Sequence, residues 1–273
     1  MSRLVSLKDT ATTAGGQTLN YHVDGPDGAP WVIFSNSLAT DMRMWDRQLL
    51  AFANTRRVLR YDSRGHGGSA VPEAPYGFAE MADDVAGLMD ILAIDRADFV
   101  GISMGGMTGM ALAIHHPGRL GRLVCCDARA DAPAPYKAIW DGNIAKLQAE
   151  GMAALTGPTM ERWFTEGFRK AESNQRILQL VTEMISSTPA RGYELAARCL
   201  QSLDLLPRLG EIACPTLYVV GEHDPAAPIA VMQAMADRTP GARLAVLRDA
   251  AHLSNIEQPR AFTETVAAFL SEA

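Results

Sequence analysis

Residues 97–116 read ADFVGISMGGMTGMALAIHH, and the fold turns on how the first half of that stretch passes into the second. Ala97 to Gly101 is a short apolar run of the kind that forms a strand buried on both faces, and Met104 to His115 has helical spacing. Between them stands Ser103, with Gly101 and Gly105 two positions to either side. A turn this sharp forces its central residue into a strained backbone conformation. Glycine is needed at the flanks because a Cβ there would collide with the neighbouring chain. The turn lifts the Ser103 hydroxyl above the sheet edge and leaves the first amides of the helix unpaired, aimed at the place where an oxyanion would form. A glycine-rich helix start packed on a strand would account for Gly106 and Gly109 but gives the serine no purpose. Ser103 is the candidate nucleophile.

The same alternation continues on both sides. Trp31 to Phe34, Arg57 to Tyr61, Arg122 to Cys126, Thr216 to Val220 and Arg243 to Leu247 read as further strands. Ala82 to Leu92 and Arg260 to Leu270 read as helices, the second with Phe262, Val266, Phe269 and Leu270 on one stripe. The pattern is that of an α/β fold, a mostly parallel sheet with helices on both faces. Between Asp131 and Leu209 the strand signals stop, and amphipathic helices follow one another, separated by Gly151, Gly157-Pro158 and Pro189. Both flanks return to the same sheet. Residues 1–130 and 210–273 are therefore expected to form the core, and residues 131–209 a helical lid over the strand ends.

A serine hydroxyl is a poor nucleophile at neutral pH, so a base must stand beside it and a carboxylate should orient that base. After a strand, elbow and helix the partners follow in the order acid, then histidine, on loops behind later strands. Gly221-Glu222-His223-Asp224-Pro225 follows one strand and Ala250-Ala251-His252-Leu253 another, which makes Asp224 the candidate acid and His252 the candidate base. His223 precedes the last strand and is out of order; His115 and His116 end a helix before Pro117, where a cation suits the helix dipole; His22 and His66 lie in early strand and loop positions. Asp127, at the tip of the strand ending at Cys126, is the rival for the acid. The oxyanion needs two amides, one from Met104 and one from the loop Ser35-Asn36-Ser37-Leu38, where Ser37 is the choice and Asn36 or Leu38 the alternatives. The loop Asp62 to Ser69, with three glycines and Arg64, reads as structural.

Composition removes other classes of function. With 25 Lys plus Arg against 31 Asp plus Glu, the net charge of −6 leaves no basic stretch for a nucleic acid or an anionic membrane, and 48% hydrophobic content argues against disorder. No apolar segment reaches the roughly 18 residues of a spanning helix, and MSRLVSLKDTATTAGG lacks the pattern of a secretory signal. A cytoplasmic protein is expected. Cys125, Cys126, Cys199 and Cys214 have no metal-ligand spacing and read as buried thiols; neither a metal nor another cofactor is expected.

Taken together, the serine elbow, DSRGHGGS at 62–69, GEHDPAAP at 221–228 and AAHLSNIEQP at 250–259 resemble the α/β-hydrolase fold family over nearly the whole chain. VIFSNSLATDMRMWDRQ, AAHLSNIEQP and SSTPARGYELAARCL are further similar to the 3-oxoadipate enol-lactonases, which hydrolyse a lactone in aromatic-compound breakdown. The resemblance implies the same Ser103, Asp224 and His252, and a serine hydrolase that opens a small lactone or carboxylic ester through an acyl-enzyme. A general short-chain carboxylesterase or lactonase is the alternative, with perhydrolase and carbon–carbon bond hydrolase behind it. The segment Cys125 to Asp131 departs from the family pattern by its acidity and by Arg129. An enol-lactone bearing a carboxylate calls for a cation under the lid, for which Arg129, Lys137, Arg162, Arg191 and Arg198 are candidates; Trp140 and Trp163 are candidates for an apolar wall. Oligomeric state is not legible.

Overall fold

Apolar runs between turn formers become strands, and the computed structural model, which describes residues 5–272, assembles eight of them into one sheet among the described residues. In chain order they are β1 Val5–Thr12, β2 Thr18–Gly25, β3 Trp31–Ser35, β4 Arg57–Tyr61, β5 Ala97–Ile102, β6 Leu120–Cys126, β7 Thr216–Gly221 and β8 Arg243–Leu247. The spatial order is β1-β2-β4-β3-β5-β6-β7-β8, antiparallel at β1/β2 and β2/β4 and parallel elsewhere. The helices are α1 Asp46–Phe52, α2 Phe78–Ile91, α3 Met104–His115, α4 Ala134–Glu150, α5 Ala153–Trp163, α6 Glu166–Lys170, α7 Gln175–Ser187, α8 Ala190–Gln201, α9 Ile229–Ala236, α10 Ser254–Glu257 and α11 Pro259–Leu270.

Side-chain alternation sorts the helices onto two faces. Phe34 meets Trp45 and Phe52 with ring centroids 4.8 and 5.3 Å apart, and Trp45 in turn meets Phe262 of α11. Ile33 points the other way and is paired with Phe99 on β5. The ring of Phe99 lies so close to α3 that a Cβ on Gly109 would come within 2.7 Å of it. Thus α1 and α11 cover one face, and α3, with α2 packed on it, covers the opposite one. Because β4 and β5 flank β3 on opposite sides, the chain reverses its direction of travel there. Such a reversal opens a crevice at the carboxyl ends of the two central strands. The residues after β3 and β5 border it.

Between β6 and β7 lie α4 to α8. This insertion leaves and returns at one place: Leu205 N and Leu206 N both donate to Ala130 O, at 2.7 and 2.9 Å, and Asp131 bridges Asp204. It touches the core again where α8 meets the loop after β4, because a Cβ on Gly192 would fall 2.1 Å from Gly65 O. There two backbones pack directly on each other. That loop is structural as expected: Asp62 accepts from Met42 N, Gly68 N and Asn20 Nδ2, while Arg64 binds Asp84 of α2 and lies over the Tyr76 ring.

Three features differ from the sequence reading. The antiparallel pair β1 and β2 is absent from it, because in β2 the buried Leu19, Tyr21 and Val23 alternate with the half-buried polar residues Thr18, Asn20 and His22, so the strand lacks a continuous apolar run. The short α1, α9 and α10 are likewise absent from it. Gly157-Pro158 does not separate helices but lies inside α5, whose end comes at Phe164 in extended backbone, before Thr165 caps α6. No helix among the described residues is long and apolar enough to cross a membrane.

Candidate active site

Ser103 joins β5 to α3 at φ 55° and ψ −119°, a conformation that costs a residue with a side chain about 1–3 kcal/mol. Its surroundings hold it there. Ser103 N donates to Cys126 O at 2.8 Å on the neighbouring strand. A Cβ on Gly101 would lie 2.2 Å from Gly105 O, and one on Gly105 would lie 2.2 Å from Ser35 O. Both glycines are therefore required by close backbone approach. Met104 is the first residue of α3, so its amide has no partner within the helix.

Two later loops converge on the hydroxyl. His252 Nε2 is 2.9 Å from Ser103 Oγ, and His252 Nδ1 is 2.9 Å from Asp224 Oδ2. All three side chains are buried. With its proton on Nδ1, the imidazole donates to the carboxylate and presents a lone pair to the serine O–H. Ala226 N donates to the second carboxylate oxygen, Asp224 Oδ1, at 2.7 Å, which fixes the plane of the acid. This chain of contacts can withdraw a proton from Ser103 as it attacks, and return it to a leaving group.

Asp127 does not reach the histidine in this structure. Its Oδ1 accepts from Gly221 N at 2.7 Å and its Oδ2 lies 2.5 Å from Ser254 Oγ, so it links the end of β6 to the loops that bear Asp224 and His252. Complete burial, with the Asp224 charge nearby, pushes its carboxyl well above the usual carboxylate range. Asp127→Asn, which mimics the protonated acid, is expected to change kcat by less than about tenfold, the scale of one neutral hydrogen bond. Its stability should also depend less on pH. An acid whose folded pKa is raised favours the folded state below its ordinary value, 3.8, and loses that contribution as pH climbs towards the folded value. Melting temperatures across that range should therefore shift in favour of the variant as pH rises.

Above the nucleophile lies a cavity of about 310 Å³, bordered by Ser37, Leu38, Ser103, Met107 and His252 from the core and by Tyr136, Ile139, Trp140, Arg162 and Trp163 from the insertion. Asn36 turns inward instead, donating to Tyr61 O and accepting from Trp45 Nε1, and so anchors the loop that bears Ser37. Among the described residues, the Ser37 and Leu38 amides are given to no protein acceptor. They remain, with Met104 N, the candidate oxyanion donors. Arg129 and Arg162 both border the cavity, but they differ: Arg129 is engaged by Asp131 at 3.1 Å, whereas Arg162 lies over the Trp140 ring with no carboxylate partner among the described residues. Arg191 and Arg198 are not there. They stand on the outer face of α8, their side chains 51% and 48% exposed, sharing Glu194 between them. Lys137 is likewise exposed and borders no part of the cavity. Tyr136, Ile139 and Met107 had no signal in sequence beyond their helical apolar spacing.

The remaining ionisable groups do not compete. His223 is exposed, His116 binds Asp83 on the surface, and His66 is wholly buried, its Nδ1 beside Arg64 O, with burial holding its pKa below the ordinary value. The four thiols are unpaired; burial raises that of Cys199 to about 12 and that of Cys125 further. Glu222, His223 and Asp249 come within ligand distance of one another among the described residues, but all are exposed and none borders the cavity.

A family model described as alpha/beta hydrolase fold matches residues 30–259. The chain is 36% identical to 3-oxoadipate enol-lactonase 2 of Acinetobacter baylyi over 97% of each protein. It is 30% identical to a putative carbamate hydrolase of Variovorax paradoxus over 93% of this chain and 96% of that one. The crystal structure of the enol-lactonase from Burkholderia xenovorans superposes with a TM-score of 0.92 at 41% identity, covering 97% of this chain and all of the other (100%).

Proposed function

Since the chain belongs to the alpha/beta hydrolase fold family, we propose that it is a cytoplasmic serine hydrolase that opens a small enol-lactone bearing a free carboxylate, 3-oxoadipate enol-lactone or a close relative. The observation that carries this reading is the hydrogen-bonded series Asp224, His252, Ser103 opening into a cavity that is also bordered by Arg162, whose guanidinium has no carboxylate partner among the described residues. Ser103 Oγ attacks the lactone carbonyl as His252 Nε2 takes its proton, and the amides of Met104 and Ser37 hold the oxyanion. His252 then protonates the ring oxygen as the acyl bond breaks. In a lactone that oxygen stays tethered to the acyl group, so the product leaves only after water, activated by the same histidine, has cleaved the acyl-enzyme. Residues 131–209 act as the lid that encloses this chemistry. No metal or organic cofactor is assigned a part.

Arg162 is the residue we assign to the substrate carboxylate, since Arg129 is already held by Asp131. Arg162→Met is expected to raise KM for the acidic lactone roughly 10 to 150-fold, the equivalent of a charge-assisted hydrogen bond of about 1.5 to 3 kcal/mol. KM for neutral p-nitrophenyl acetate should barely move, and Arg191→Met and Arg198→Met should leave both substrates unaffected. Steady-state kinetics on both substrates test this. A parent enzyme that prefers the neutral ester, with the Arg162 variant discriminating no differently, would replace the enol-lactonase reading with a general carboxylesterase, which the largely apolar wall of Trp140, Trp163, Ile139 and Met107 also accommodates.

A further inference from the structure

Glu257 takes no part in the steps above, yet its carboxylate is buried and is paired with no cation among the described residues. Burying such a charge is costly unless several donors converge on it. They do. Glu257 Oε2 accepts from Ala251 N at 2.8 Å, and Oε1 accepts from both Thr165 N, at 3.1 Å, and Thr165 Oγ1. Ala251 precedes His252, while Thr165 belongs to the turn between α5 and α6 in the insertion. On the other side of the histidine, Leu253 N donates to Trp163 O at 3.2 Å, from the same turn. Both amides that flank His252 thus depend on residues 163–165, one directly and one through Glu257. The Trp163 ring, which borders the cavity, also faces the imidazole at 6.4 Å. Residues 254–256 are held differently, by core groups: Ser254 by Asp127, and Asn255 by Met44 O and Gln48. Lifting the α5–α6 turn would therefore break the tie on Leu253 N and loosen the one on Ala251 N, leaving the His252 backbone to Leu253 O, held by Ile256 N and Glu257 N, while residues 254–256 stayed in place.

We propose that Glu257 is a positioning residue that makes the aim of His252 at Ser103 depend on the seating of the α5–α6 turn over the cavity. The proposal rests on His252 being the base, and adds that the cover and the base are one mechanical unit. Glu257→Gln replaces one acceptor oxygen with an NH2 that must face a backbone donor, either Ala251 N–H or Thr165 N–H, so one side of the link loses its amide bond. Thr165→Val removes only the hydroxyl arm, and Thr165→Ser restores it.

The test is the rate of covalent labelling of Ser103 by a fluorophosphonate probe, resolved into the maximal labelling rate and the probe concentration giving half of it, with the downfield proton NMR signal of His252 Nδ1–H recorded alongside. Misplacing a catalytic group by about 1 Å costs on the order of 10²-fold. Glu257→Gln is accordingly expected to lower the maximal rate about 10 to 100-fold, with the half-maximal concentration within about twofold of the parent and the downfield signal shifted or broadened. Thr165→Val should lower the rate by a smaller factor, and Thr165→Ser should match the parent. If Glu257→Gln melts earlier but labels at the parental rate with an unchanged signal, Glu257 is a purely structural tie and the proposal is wrong. Should that variant fail to fold, equal labelling rates in Thr165→Val and Thr165→Ser overturn the proposal, and slower labelling in Thr165→Val alone upholds it. Failure of the parent itself to label at Ser103 is a different result, and counts against the serine mechanism rather than against this link.

Discussion

Replacing Ser103 with Ala is expected to abolish nearly all turnover while leaving the fold in place, with a loss on the order of 10⁴ to 10⁶ in kcat. In the mechanism proposed above the hydroxyl is the group that attacks, and the nearby thiols of Cys125 and Cys126 are poor substitutes, being buried in β6 with their pKa values raised by that burial. The elbow itself is built from backbone, through Ser103 N on Cys126 O and the close approaches at Gly101 and Gly105, so Ala inherits its support. His252→Ala should cost a similar factor, and the double variant scarcely more, because these groups act as a unit and their losses do not add. The measurement is kcat together with the melting temperature of each variant. Retention of more than about a hundredth of the parental rate by either single variant would sink the mechanism.

Asp224→Asn is expected to cost about 10⁴ in kcat. The substituted amide still accepts from Ala226 N through its oxygen, which keeps the loop in place, but turns its NH2 towards His252 Nδ1. The imidazole must then carry its proton on Nε2, where it faces Ser103 as a donor and can no longer serve as base. Geometry survives while function does not, so a crystal structure of the variant should overlay the parent while its turnover is close to zero. A far larger loss in Asp127→Asn than in Asp224→Asn would transfer the role of acid to the end of β6.

The contrast between these two aspartates shows what sequence could and could not reveal. Chain order does not separate Asp224 from Asp127, since both lie between Ser103 and His252; only the tertiary structure does, by setting Asp224 on His252 Nδ1 and Asp127 on Gly221 N and Ser254 Oγ. The elbow, by contrast, announces itself through a serine for which packing has no use. The hairpin β1/β2 is less legible. A strand that buries one face alternates polar and apolar residues, and in HVDG and KDTAT that alternation resembles a loop. Inside the insertion, position relative to the cavity depends on the rotation of each helix, which composition does not reveal. One clue was available. Arg191, Glu194 and Arg198 stand three and four positions apart, the spacing of a charge ladder on a solvated helix face, and this marks those two arginines as outward. Arg162 has Glu166 at the same spacing, but the helix ends between them and Glu166 pairs with Lys170 instead, so there the spacing misleads. The role of Glu257 had no sequence signal at all, because Thr165 is remote in the chain and only the tertiary contact brings them together.

The neck at Ala130 has a meaning for how such a protein changes over generations. Because Leu205 N and Leu206 N return to the carbonyl from which the insertion departs, the core meets the same two ends whatever lies between them. Lengthening a segment with joined ends adds only about 0.6 kcal/mol of closure entropy for each doubling. The helices between β6 and β7 are in this sense a cassette joined to the core at one neck, whose length can change at little cost to the sheet that carries Ser103, Asp224 and His252. Selection for a new substrate can proceed in the cassette without reopening the chemistry. A replacement would have to meet the core where this one does: at the close backbone approach of Gly192 to Gly65, at Leu253 N through a carbonyl like that of Trp163, and at Glu257 through donors like those of Thr165.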